Sequence, residues 1–316
     1  MGSGTRVGQW KERFFEGEIE REEAFEDETE LQCRKEEVSR VIASFGEYGV
    51  RGAEEGYELL KEEKVIGTFK KIIIEENSIF FELSRGVSLE VSEKGIREIV
   101  ASEKAELCGL IASDGGLYMS EKYHHYRIYL SSADIEVAKH YEELFEIVYR
   151  KRPHRYRYEP PSTPHYSIEI EDMSIYFDLW NLRIKGPNPY EFHVPKEHLD
   201  ERGMRAFLRG FFTGDGGVAM GYDRTQNRVR FHIRFDSKYK EGLEEIRDLL
   251  KDLGFRPLEI HEYYREDRTY YYFRIPEEEH LKFIEEIGSE KPDHREKFEV
   301  LKQIYEEKRR KRERED

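Results

Sequence analysis

Two stretches about a hundred residues apart decide how this chain folds: Leu107-Cys-Gly-Leu-Ile-Ala-Ser-Asp-Gly115 and Leu208-Arg-Gly-Phe-Phe-Thr-Gly-Asp-Gly216. Each is an apolar run with glycine at its third position and Asp-Gly at its end, followed by a further glycine (Gly116, Gly217) and a strand-like segment. Small residues recur four apart in each, Gly109 with Ser113 and Gly210 with Gly214, so two such helices can bring their backbones close without intervening side chains. Helices packed in that way end side by side and bring Asp114 and Asp215 together. Two neighbouring carboxylates repel unless a cation sits between them. Oxygen ligands of this kind suit Mg²⁺, which keeps several waters and bridges to phosphates. A metal so held can activate water and stabilise a leaving oxygen, which is the chemistry of a phosphodiesterase. One apolar run closing in Asp-Gly is an ordinary helix end; two aligned copies, each opening a matching string of elements, are the signal.

Outward from these runs the chain repeats itself. After the first come a hairpin (Leu117–Ser120, Tyr126–Ser131), a helix from Ala133 to Tyr149, a second strand pair (Arg155–Tyr158, Tyr166–Ile170) and a helix over Met173–Leu182. After the second come strands Val218–Gly221 and Arg228–Phe235, a helix Lys240–Leu253, strands Leu258–Tyr264 and Tyr270–Ile275, and a helix Glu277–Glu286. Both copies read αββαββα, which predicts a duplicated α+β domain with halves at 101–200 and 201–306. The joint falls at Lys185-Gly-Pro-Asn-Pro189 to Pro195. A charged tail (307–316) follows, and its Lys308-Arg-Arg-Lys-Arg-Glu-Arg314 reads as a solvated helix end rather than a phosphate contact.

The amino-terminal third is different. Residues 1–33 form an acidic tail, and 34–100 an accessory module. Val38, Val41, Ile42 and Phe45 lie at helical spacing, Ala53 to Glu63 reads as a second helix, and Lys70–Ile74 with Ile79–Leu83 as a hairpin. Helix, helix, hairpin is either a winged-helix-like unit or a structural extension. The carboxylates Glu54, Glu55, Glu58, Glu62 and Glu63 do not suit a DNA-reading helix.

The chain has 316 residues with 38% charged. Gln occurs only at 9, 32, 226 and 303 and Asn only at 77, 181, 188 and 227, a composition of heat-adapted proteins. No apolar run is long enough to span a membrane, and Met1-Gly-Ser-Gly-Thr-Arg6 carries no signal region. With only Cys33 and Cys108 there is no disulfide frame, and a reducing cytoplasm is the expected location. Net charge is −15, yet residues 1–100 carry 15 Lys+Arg against 24 Asp+Glu, so the acidity is concentrated away from the repeat. Binding DNA needs a basic face, not a basic total.

Such a face is written in the strands. Arg228, Arg230, His232 and Arg234 alternate with Val229, Phe231, Ile233 and Phe235, which puts four basic side chains on one side of a sheet. His125, Arg127, Tyr129 and Ser131 repeat the pattern more weakly, and Arg155 and Arg157 add two more bases. Arginine on a ribbon in the major groove can fork onto guanine, while others hold phosphates. Tyr270-Tyr-Tyr-Phe273 alternates between core and contact surface. His124-His125 and His165 lack spaced Cys/His companions and read as surface. No Ser/His/Asp constellation or phosphate-binding glycine loop stands out.

Over residues 101–306 the chain resembles the LAGLIDADG homing endonucleases in their single-chain, two-motif form. Besides the two motif helices, Ile128-Tyr-Leu-Ser-Ser-Ala-Asp134, Phe192-His-Val-Pro195 and Ile287-Gly-Ser289 carry the likeness. The resemblance implies a monomer with two pseudo-symmetric halves forming a saddle on double-stranded DNA. It implies cleavage of both strands at a long, largely asymmetric site, with Mg²⁺ (or Mn²⁺ in its place) on Asp114 and Asp215. The carbonyls of Ser113 and Gly214 would support the metal, and Ser132 and Ser237 match positions that touch the catalytic water network. Lys185 matches the family's first-half lysine, whereas in Lys291-Pro-Asp-His-Arg-Glu-Lys297 the second lysine position falls on His294, with Lys291 close by. The alternative on the same scaffold is a DNA-binding regulator or a maturase acting on intron RNA. Residue 1 is neither Cys nor Ser and no His-Asn closes the chain, so a complete self-splicing intein is not expected, whereas an intron-encoded or free-standing enzyme, or the excised nuclease region of an intein, is.

Overall fold

The computed structural model describes residues 41–45, 48–53, 56–62, 64–69, 72–75, 78–82, 85–92, 95–159, 164–225, 228–265 and 267–315. The acidic tail expected at 1–33 lies outside them. The chain divides into two compact units, Met1–Thr68 and Phe69–Asp316.

In the first unit the described residues are strands: β1 (Val41–Phe45), β2 (Tyr48–Ala53), β3 (Gly56–Lys61) and β4 (Lys64–Phe69), which form one sheet in chain order. The expected helix over Ala53–Glu63, and with it the winged-helix-like unit, is therefore corrected to a β-hairpin. Val50 and Leu59 are directly opposite one another and buried, and Arg51 faces Glu58 across the strands with an ion pair of 2.6 Å. Gly56, at φ 130°, takes a backbone shape that side-chain-bearing residues avoid, and it stands opposite Ala53 at the end of the ladder. Apolar Leu59 and Leu60 fit a helical face equally well. The cross-strand partners decide for the sheet.

The second unit opens with a meander, β5 (Ile72–Glu75), β6 (Ser78–Glu82), β7 (Val87–Ser92) and β8 (Gly95–Val100). Its first two strands are the expected hairpin, whose turn at 76–77 lies outside the described residues. Phe81, Val91, Ile99 and Val100 are buried, and Glu90 and Arg97 pair across the β7–β8 ladder. The meander delivers the chain to the first motif helix, where the Ala101 amide donates to the Gly86 carbonyl at 2.8 Å.

Two equivalent halves follow. The first is α1 (Ser102–Asp114), β9 (Gly115–Ser120), β10 (His125–Ser132), α2 (Ile135–Tyr149), β11 (His154–Tyr158), β12 (His165–Glu171) and α3 (Met173–Asn181). The second is α4 (Glu201–Asp215), β13 (Gly216–Asp223), β14 (Arg228–Ser237), α5 (Lys240–Asp252), β15 (His261–Arg265), β16 (Arg268–Ile275) and α6 (His280–Glu286), closed by α7 (Pro292–Glu315). The sheets run β11-β12-β10-β9 and β15-β16-β14-β13, the same order in each half. The charged tail from 307, read from the sequence as a helix end, continues α7 as far as Glu315.

The core runs along α1 and α4. Lys104 to Ala112 are buried without a break, so α1 has no solvent face there, and Cys108 within it has its thiol pushed up to about 12 by burial. Lys104 is tolerated at 1% exposure because its ammonium pairs with Asp178 at 2.7 Å, a carboxylate that also accepts from the Tyr149 hydroxyl. Around α4, Phe211, Phe212, Phe235, Phe273 and Phe283 form one aromatic cluster. Truncating such a buried ring costs about 3–5 kcal/mol, so the packing that holds the motif helices is a large share of the unit's stability. Among the described residues no helix is long and apolar enough to cross a membrane.

Candidate metal and nucleic-acid site

Each motif helix ends on its aspartate, and a strand starts at the next residue: Asp114 precedes β9 and Asp215 precedes β13. The helices meet backbone to backbone. A Cβ on Gly109 would fall 2.1 Å from the Phe207 carbonyl oxygen, and one on Gly210 2.1 Å from that of Glu106, the equivalent pair read in the other direction. At the helix ends a Cβ on Gly214 would lie 2.2 Å from the Ser113 hydroxyl and 3.1 Å from Asp114 Oδ2. The two aspartates thus share one pocket of about 590 Å³, with Ser113, Gly214, Tyr129, Lys185, Arg234 and Lys238 among its walls.

Its electrostatics are those of two carboxylates held together. Burial, then the charge of Asp114, push the Asp215 carboxyl up to about 7, with Lys185 opposing. Burial also raises Asp114, against the pull of Lys291 and Lys185. Among the described residues no contact ion pair ties either carboxylate. Lys185 is buried, donates to the Ala112 carbonyl at 2.8 Å, and is lowered to about 8 by burial, with Asp215 and Asp114 drawing it back up. The interhalf joint positions it: Lys185 bridges to Phe192, and the Gly186 amide donates to the Glu191 carbonyl at 3.1 Å. Two oxygen donors with raised proton affinity, in an open pocket, fit a hard divalent cation. The Ser113 hydroxyl donates back to the Leu110 and Gly109 carbonyls at 3.0 and 3.2 Å.

Several expected site residues lie elsewhere. His294 is 2% exposed, bonds through Nδ1 to the Ser289 hydroxyl at 2.9 Å and packs on Phe212. Burial pushes its pKa down to about 4. It sits one turn into α7, facing the core and not the pocket, and Lys291 is the cation whose charge reaches Asp114. Ser132 and Ser237 play equivalent parts at the strand-to-helix corners, accepting from the Asp134 amide (3.1 Å) and the Tyr239 amide (3.0 Å). Each hydroxyl accepts at its turn and keeps its O–H to donate. Ser237 also lines the pocket and Ser132 does not.

The sheet register sorts the DNA-facing candidates. Arg230, His232 and Arg234 share the open face of β14, opposite the buried Phe231, Ile233 and Phe235. Arg228 continues that register, but its side chain lies outside the described residues. In the first half His125, Arg127, Tyr129 and Ser131 share the open face. Arg155 and Arg157 do not. They pair in register with Ile168 and Tyr166 on the helix-side face, where Arg155 meets Glu142 of α2 at 3.2 Å. The open face of β11 instead carries His154, Tyr156 and Tyr158. The expectation failed because alternation fixes which residues share a face, not which face turns outward.

Other participants were not singled out from the sequence. Lys238 lines the pocket over the rings of Tyr190 (4.4 Å) and Tyr270 (5.4 Å), and Asp236 and Tyr263 join it there. Lys238 continues the two-residue alternation of Arg234 and Asp236, a signal the sequence did contain. Arg274, Tyr272 and Tyr270 share the open face of β16.

Comparison with known proteins bears on the second half. Residues 202–288 match the LAGLIDADG-like domain. A replication factor C small subunit of Methanocaldococcus jannaschii is 27% identical over 116 residues, 37% of this chain, and the chain spans only 6% of that relative's length. Among solved structures, I-DmoI in complex with DNA and Mn is 22% identical with a TM-score of 0.44, covering 59% of this chain and 96% of its own. The N-terminal LAGLIDADG domain of DUF199/WhiA is 17% identical with a TM-score of 0.40, covering 59% and 81%. The part of the chain that is similar to the LAGLIDADG-like domain thus runs from the second motif helix to the end of α6.

Proposed function

We propose that the chain is a site-specific DNA endonuclease that hydrolyses both strands of a long, largely asymmetric site as a monomer, with a divalent cation, Mg²⁺ by preference, held by Asp114 and Asp215. The observation that carries this reading is the pair itself: two carboxylates from equivalent helix ends, both raised by burial and Asp215 also by the charge of Asp114, open to one pocket. A cation bound there supplies an activated water and stabilises the leaving oxygen. The chain's own residues do the remainder. Lys185 and Lys291 bring positive charge to the carboxylates from opposite halves, Lys185 from the joint and Lys291 from the start of α7. Arg234 and Lys238 line the same pocket from the second sheet, where a phosphate would enter along the open face. The pocket is continuous with the open faces of both sheets through Tyr129 and Arg234, so a duplex lying across the sheets passes over the carboxylates.

The test is incubation with plasmid carrying the chain's own genomic junction, rejoined without the insertion, at raised temperature with Mg²⁺. A single double-strand cut that disappears in the Asp114→Asn/Asp215→Asn variant supports the reading. Tight binding without cutting would transfer it to a DNA-binding regulator. Retention of intron RNA with splicing would transfer it to a maturase.

A further inference from the structure

The open faces of the two sheets are equivalent in topology and opposite in charge. Among the described side chains, the second half presents Arg230 and Arg234 on β14, Arg265 on β15 and Arg268 and Arg274 on β16, against the single carboxylate of Asp236, which pairs with Arg234 at 2.8 Å. Two of these pairs are directly opposite one another, Arg234 with Arg274 and Arg265 with Arg268. Like charges facing across a ladder destabilise a sheet unless an anion lies over them. Tyr272 sits between Arg234 and Arg274, with the guanidinium carbons 5.8 and 5.5 Å from its ring. The neighbouring strand β13 places Gly217, Ala219 and Gly221 beside Arg234, His232 and Arg230, so no large side chain covers them. Their field is felt locally: burial, then Arg274 and Arg230, hold His232 below the usual histidine range.

The first half has the same ladder and the reverse balance. Its open face carries Arg127 against Glu169 and Glu171. Arg127 meets Glu169 at 3.3 Å, stands directly opposite Glu171, and is covered by Tyr118 and Tyr129 at 5.2 and 5.8 Å. Tyr156, Tyr158 and the stacked His165 complete a face that is aromatic and hydrogen-bonding, not cationic.

Resting on the DNA reading above, we propose that the halves divide the work on the duplex. The second half grips the phosphate backbone and supplies most of the electrostatic affinity, and the first half contacts its half-site through tyrosine, histidine and carboxylate groups with little net charge. Each phosphate neutralised by an arginine adds about 0.9 to the slope of log affinity against log salt, so the division is measurable without knowing the target.

The experiment uses the full chain without divalent cation and a random-sequence duplex, titrated between about 50 and 200 mM salt. Arg234→Gln/Arg274→Gln is expected to lower the salt slope by about 2, one for each arginine, and to weaken binding at low salt at least about tenfold. Because the variant also breaks the Arg234–Asp236 ion pair, both chains are compared well below their melting temperatures; a merely structural role would leave the salt slope unchanged. Arg127→Gln is expected to leave the slope unchanged. Equal loss of slope in the two variants, or none in Arg234→Gln/Arg274→Gln, would overturn the division while leaving DNA binding intact. A wild-type chain that retains no duplex would overturn this inference together with the endonuclease reading.

Discussion

Gly109 faces the carbonyl of Phe207, and Gly210 faces the carbonyl of Glu106 at the same 2.1 Å approach to a virtual Cβ, so each glycine makes room for the other helix's backbone at an equivalent point. This reciprocal contact is what brings the two aspartates to one place. Neither backbone can yield, because α1 is buried along its whole inner length. Gly109→Ala or Gly210→Ala is therefore expected to cost about 3 kcal/mol or more by overpacking. Thermal unfolding measures it, and unchanged melting in both variants would refute the tight crossing.

The aspartate pair predicts a trade of stability for function. Asp215 titrates at about 7 in the folded chain and near 3.9 when unfolded, so over that window the folded state holds more protons. Stability without metal falls as pH rises through it. Asp215→Asn removes this penalty and should raise the melting temperature in chelator above neutral pH, with the gain shrinking toward pH ~4. Adding Mg²⁺ should raise the wild type and not the variant. A variant that melts lower than wild type in chelator at high pH would contradict the pair's repulsion.

The charge that reaches Asp114 comes from Lys291, whereas His294, the position that the resemblance matches to a lysine, is bonded to Ser289 in the core. Lys291→Met is expected to slow cleavage about 100-fold or more with the melting temperature unchanged. His294→Lys restores the family's residue type but places an ammonium among Phe212, Phe298 and Ser289, and should destabilise by about 3–5 kcal/mol. Full cleavage by Lys291→Met would return the role to another cation.

A pH-dependent clasp links α2 to the motif helices. His140 Nε2 meets Glu106 at 2.8 Å, and Glu106 also holds Arg209 of α4 at 3.3 Å. Burial lowers the His140 pKa, but the Glu106 hydrogen bond and charge, with Glu290 and Glu143, outweigh it and leave it raised. Its contribution is fully present below pH ~6.5 and is lost as pH rises through the folded value. His140→Gln should therefore lose stability relative to wild type at pH ~6 and much less at pH ~9, as read by denaturant melts. A difference that grows with pH would reverse the assignment.

The repeat, the αββαββα string, the helix crossing and the two aspartates were all determined by the sequence alone. Each depends on local spacing, and two copies of one pattern confirm each other: Gly109 and Gly210 state the crossing and Asp-Gly states the helix end. The amino-terminal strands were not determined in this way. Tyr48–Lys61 carries apolar spacing that suits helix or hairpin, and only the partnering of Val50 with Leu59 and of Arg51 with Glu58 selects the sheet. Sidedness was likewise tertiary: Arg155 and Arg127 both alternate correctly, yet the β12 register turns Arg155 to Glu142 and Arg127 to the open face. The same holds for His294, whose neighbour Lys291 takes the charge near Asp114 because α7 begins at Pro292 and turns the histidine into the core. Sequence periodicity encodes which side chains travel together; which way they face is decided by the partner strand or helix that covers one side and excludes water from it.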